Sequence, residues 1–77
     1  MNINKIKENI SINKGKELSF RFNGSRNQIE EFTGTIDKIY NSVFLIKNIN
    51  STSNIKSFSY TDILTMNLQI LDINLFE

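Results

Sequence analysis

Lys14, Lys16, Arg21, Asn23, Gly24 and Arg26 are the residues of this 77-residue chain best suited by type and spacing to chemistry at a surface. Arg21 and Arg26 flank an Asn-Gly turn, and the two lysines stand a few residues upstream. If these side chains face one way they suit contacts to phosphate, because ammonium and guanidinium groups neutralise phosphate oxygens. Tyr40 and Tyr60 offer a second chemistry, as stacking platforms for single-stranded bases. A tyrosine on a small β domain more often packs its ring into the core with its hydroxyl toward solvent, and that structural role is favoured for both. Ser59, Tyr60 and Asp62 sit close together in sequence, where Asp62 reads as a cap on a turn. Glu30 and Glu31 do not make an acid/base pair, since neighbours on a strand point to opposite faces.

Composition removes most other chemistry. The chain has no His, Cys, Trp, Pro or Ala. Without cysteine there is no disulfide, zinc knuckle or thiol nucleophile, and without histidine the commonest metal ligand and neutral-pH proton carrier is gone. The glycines, at 15, 24 and 34, are nine and ten residues apart and match neither GxxxxGK nor GxGxxG. No enzyme, metal or cofactor is expected. Residues 1–26 carry six basic groups against Glu8 and Glu17, a balance of +4, while residues 27–77 carry three against six, a balance of −3. Residues 1–26 are thus the candidate basic surface, although a pI of about 8.0 lies below the roughly 9 typical of nucleic-acid modules.

The elements that must position these residues follow from periodicity. Ile3, Ile6 and Ile10 form one stripe of a helix over 3–12, with Asn2 or Asn4 as cap and Gly15 as stop signal. Such a short helix is marginal alone, so its isoleucines must dock. Residues 17–22 alternate strictly, with Leu18, Phe20 and Phe22 on one face, and run into the Asn23-Gly24 turn. A second strand over 31–39 changes face between Ile36 and Ile39, which predicts a bulge, and Gly34 within it suggests close backbone approach. Tyr40-Asn41-Ser42 reads as a tight turn, 43–46 as a strand apolar on both faces, and 48–54 as a polar loop. A fourth strand at 55–60, a helical turn opened by Thr61-Asp62, a fifth strand at 66–71 and an apolar tail at 72–77 complete the chain.

At 39% hydrophobic and 22% charged residues, the chain has material for one core, built largely from 13 Ile and 6 Phe, a mix that favours strands. The Asn, Ile and Lys richness also matches AT-rich codons. Below roughly 80 residues only one domain is expected. The layout is mainly β: a small five-stranded SH3-like or Sm-like barrel preceded by a short N-terminal α-helix, with an OB-like barrel as runner-up. Closing the sheet would hide both edges. No apolar run reaches the roughly 18 residues of a membrane span, and no signal peptide is evident, so the default location is the cytoplasm.

Gly15-Lys16, Asn23-Gly24-Ser25-Arg26, Gly34, Tyr40-Asn41-Ser42-Val43-Phe44 and Ser57-Phe58-Ser59-Tyr60-Thr61-Asp62-Ile63-Leu64-Thr65 together resemble the Veg family of small proteins from low-GC Gram-positive bacteria. The resemblance spans about residues 3–71. Its last two blocks are the specific part, with Tyr40, Ser42, Phe44, Ser59, Tyr60 and Asp62 as motif residues. It implies a small cytoplasmic β-barrel without catalytic activity that stimulates biofilm formation by opposing a transcriptional repressor of matrix genes. Ser25 stands where the family loop has a second glycine, Asn27 and Gln28 stand where it has further basic residues, and Asn41 replaces a proline. The loop's positive charge is therefore diluted. The resulting expectation is a non-enzymatic regulatory or adaptor protein working through a protein partner. The alternative is a small RNA- or DNA-binding module. No membrane contact is expected, and homodimerisation through strand edges or the tail is an open possibility.

Overall fold

The computed structural model describes residues 2–24, 28–49 and 54–73. Its elements are α1 (Ile3–Ile12), β1 (Glu17–Asn23), β2 (Ile29–Ile39), β3 (Val43–Asn48), β4 (Ile55–Ser59), α2 (Tyr60–Leu64) and β5 (Leu68–Ile70). All strand pairs are antiparallel, in the order β4-β3-β2-β1-β5.

Helix α1 occupies the span its apolar stripe predicts. Asn2 is the cap: its side-chain oxygen accepts the Lys5 N–H at 2.9 Å. Ile6 and Ile10 are fully buried, and the helix packs against α2 and β2. Beyond the C-cap Asn13, Gly15 takes a left-handed φ of 85°, which lets the chain reverse into β1. The Gly15 N–H then donates to the Ile36 carbonyl at 3.0 Å, tying the reversal to β2.

The alternation of β1 buries Leu18 and Phe20 and half-buries Phe22 on the concave face of the sheet. Its register with β2 runs from Glu17 opposite Thr35 to Asn23 opposite Ile29, so β2 starts two residues earlier than its own pattern suggests. The expected bulge is present, as a register shift between Ile36 and Lys38 against β3. It lets both Ile36 and Ile39 pack on the core. Tyr40 N–H donates to the Val43 carbonyl at 2.8 Å, closing the tight turn into β3, which buries Phe44 and Ile46. β3 lies between β2 and β4, and Val43 and Leu45 are half-buried on its other face.

Tyr60, expected to end the fourth strand, instead opens α2. Ser59 is the N-cap of a full capping box: its hydroxyl accepts the Asp62 N–H at 3.2 Å, and the Asp62 carboxylate accepts the Ser59 N–H at 3.0 Å. β5 is shorter than the expected 66–71, for two local reasons. Met66 adopts a left-handed φ of 66°, which breaks the extended chain before Leu68. At the other end the Asp72 carboxylate takes the Ser19 N–H at 3.0 Å, in place of a backbone carbonyl.

The small, mainly β fold with its N-terminal helix is as expected, but the sheet does not close into a barrel. β4 and β5 are its two edges, and among the described residues no ladder joins them. The sheet is nonetheless strongly curled. Phe22 on β1 and Phe58 on β4 stand three strand spacings apart, about 14 Å in a flat sheet. Their ring centroids are 5.3 Å apart across the concave face. Phe32 stacks on Phe20 at 5.3 Å and faces Phe58 at 6.4 Å, so the curl encloses an aromatic core that α1 and α2 complete. Tail residues 74–77 lie outside the described residues.

Candidate functional site

The hairpin joining β1 to β2 places Arg21, Asn23 and Gly24. Arg21 faces Glu31 across the ladder, and its Nε and terminal nitrogen both approach the same Glu31 oxygen at 2.8 Å. A carboxylate therefore already holds the positive charge beside the turn. Sequence reasoning missed this pairing because it is set by strand register, ten residues away along the chain. Asn23 is fixed by its N–H donating to the Asn67 carbonyl at 2.7 Å and by its side-chain amide donating to the Met66 carbonyl at 3.4 Å. Gly24 N–H donates to the Gln28 carbonyl at 2.7 Å.

Lys14 and Lys16 are exposed, but they flank Gly15 at the opposite end of β1. Lys16 and Arg21 are five residues apart along an extended strand, roughly 16 Å. Arg26 lies outside the described residues. Between the hairpin and the α2–β5 connection is an open cavity of about 740 Å³. Phe22, Asn23, Gly24, Ile29, Glu30 and Asp62 are among its lining residues. The charged groups among its described lining residues, Glu30 and Asp62, are both acidic and do not themselves complement phosphate.

The second motif builds architecture. Tyr60 is buried, with its ring 5.5 Å from that of Phe44. Its hydroxyl donates to the Tyr40 carbonyl at 2.6 Å, so it binds the β2–β3 turn and does not face solvent. Burial pushes the Tyr60 phenol above its ordinary value. Lys7 of α1 stands over the Tyr60 ring at 5.3 Å and donates to the Asn41 side-chain oxygen at 3.3 Å. Tyr40 itself is half exposed, Ser42 lies exposed in the turn, Phe44 is core, and Ser59 and Asp62 form the capping box.

One side-chain cluster has no counterpart in the sequence reading. Lys56 of β4 points onto the concave face, where its ammonium lies 5.1 Å from the centre of the Phe32 ring and pairs with the Glu30 carboxylate. The alternation of 55–60 already places Lys56 on the face of Phe58, which is the signal that would have found it.

Among the described residues no three Asp or Glu side chains gather into a metal-ligand set, and no helix is long and apolar enough to cross a membrane. The fold and its motifs define a small single-sheet β protein whose distinctive residues serve turns, caps and core. The family model described as biofilm formation stimulator VEG matches residues 1–71, and the chain belongs to that family. No curated protein matches it.

Proposed function

We propose that this protein is a non-enzymatic regulatory adaptor of the cytoplasm that promotes biofilm formation by binding a protein partner, a transcriptional repressor among the candidates. Membership of the biofilm-stimulator family carries the reading. The placement of the motif residues supports it. Tyr60, Ser59 and Asp62 are committed to internal hydrogen bonds, which leaves them little freedom for substrate chemistry. A native pull-down from the source cells should recover a specific protein, and deletion should reduce surface attachment. An empty pull-down together with unchanged surface attachment on deletion would reject the adaptor role.

A nucleic-acid module is the second reading, favoured by the exposed Lys14 and Lys16 in a first third that carries a balance of +4. It requires binding that weakens steeply with salt, since phosphate contacts release counterions. A titration against RNA and duplex DNA at low salt without any binding rejects it.

A further inference from the structure

The two edges of the open sheet are not alike. At β5 the edge is three residues long and its ladder ends on the Asp72 carboxylate. At β4 the edge is five residues long, and the hydrogen-bond phase shows which groups it presents. Asn48 N–H donates to the Asn54 carbonyl at 3.1 Å, one step beyond the Lys47–Ile55 pair that ends the β3–β4 register. In an antiparallel ladder such pairs recur every second residue, so Lys56 and Phe58 also turn their backbone groups to β3. Ile55, Ser57 and Ser59 therefore turn theirs outward. The Asp62 carboxylate holds the Ser59 N–H, but no described residue pairs with the N–H or C=O of Ile55 or Ser57. Among the described residues four adjacent backbone groups thus stand open, at a strand whose Ile55 is 49% exposed.

Within the two strands at this edge, charge has one sign. Neither β3 nor β4 contains an acidic residue, whereas they carry Lys47 and Lys56. Lys47 faces Ile55 on the convex side, and Lys38 opposes Leu45, making the two lysines diagonal neighbours on one face. No ion pair engages either lysine among the described residues, and the sheet's acids belong to β1 and β2.

A second copy of the chain fits this edge poorly. Antiparallel pairing of two β4 strands about Ser57 sets Ile55 against Ser59 and needs the Ser59 N–H that Asp62 already holds. Pairing about Lys56 sets two ammonium side chains opposite each other, which is destabilising.

We propose that the outer edge of β4 accepts, as an added antiparallel strand, an extended segment of a protein partner in which apolar and acidic side chains alternate. Backbone bonds to Ile55 and Ser57 supply the pairing, and carboxylates on the convex side reach Lys47. This rests on the adaptor reading for its biological partner, but not for its chemistry.

The test uses the full isotope-labelled chain and a capped octapeptide alternating valine and glutamate, with a valine–lysine octapeptide as control, followed by amide NMR. The Ile55 and Ser57 amides should shift and become protected from exchange with the acidic peptide only. Lys47→Glu should weaken binding about five- to tenfold, the size expected of reversing one exposed pair. Ser57→Pro removes an outward N–H that β3 does not use and should abolish the β4 response, with amide dispersion reporting that the fold is kept. Equal response to both peptides, shifts confined to the cavity beside Gly24, β4 shifts that follow protein concentration without peptide, or no shift at millimolar peptide each overturn the proposal. Peptide binding at β4 alongside an empty pull-down would remove the adaptor reading and leave the edge standing.

Discussion

Gly34 on β2 sits directly against Lys47 on β3: a Cβ built on Gly34 would lie 2.6 Å from the Lys47 carbonyl oxygen and 2.9 Å from the Ile46 Cγ2. Both neighbours belong to the ladder that holds the sheet's centre. Gly34→Ala must therefore push β2 and β3 apart, at a cost of about 1–3 kcal/mol. At Gly24 the nearest atom to an added Cβ is the Gln28 carbonyl oxygen at 3.3 Å, so Gly24→Ala should cost less. Urea unfolding of the two variants would show this order, and equal midpoints would contradict it.

The Tyr60 hydroxyl provides a pH-dependent contribution. Its folded-state pKa is raised by burial, so the folded chain holds the phenolic proton more tightly than the unfolded chain. The corresponding stability is fully present below the ordinary value near 10 and is lost as pH climbs through the raised value. Tyr60→Phe should cost about 1 kcal/mol at pH 7, through the lost bond to the Tyr40 carbonyl. It should also flatten the fall in stability between pH 9 and 12, read from denaturant midpoints across that range.

Met66 holds a left-handed conformation with its side chain half exposed. Glycine adopts that conformation freely, whereas a β-branched residue resists it most strongly. Met66→Gly should stabilise the fold by up to about 1 kcal/mol, a rise of about 4–8 °C in Tm, and Met66→Val should lower it. Changes of the same sign in both variants would show that the backbone conformation is not the cause.

The capping box at Ser59 also limits the β4 edge. Asp62→Ala should cost about 1 kcal/mol of stability, as loss of a cap does. It should also free the Ser59 N–H and with it pairing of two β4 edges about Ser57. Sedimentation should then show a concentration-dependent dimer for Asp62→Ala under conditions where the parent chain stays smaller. A variant that loses stability without associating would separate the two roles.

Much of the fold was legible along the chain because it rests on local periodicity. The Ile6–Ile10 stripe, the face change after Ile36 and the small residue at Gly34 each report a feature within a few positions of themselves. The limits of β5 were not legible, because a left-handed Met66 carries no sequence signal. Failure of the sheet to close depends on where two distant edges end up, and no local pattern encodes that. The candidate surface fared similarly. Arg21 reads as a free cation until the register sets Glu31 beside it, and Lys47 carries no signal of its own along the chain. Arg26 lies outside the described residues.

The contacts of Lys7 with Tyr60 and Asn41, and of Tyr60 with Tyr40, join α1, the β2–β3 turn and α2 into one closed circuit. A ten-residue helix does not persist once undocked, so release of α1 breaks the Lys7 contacts to both other members of the circuit and uncovers the core they share. Amides of Ile10, Tyr40 and Ile63 should then exchange with deuterium through the same opening event, although they lie far apart along the chain. Attachment of the helix would in that case act as the rate-setting gate for the whole aromatic core.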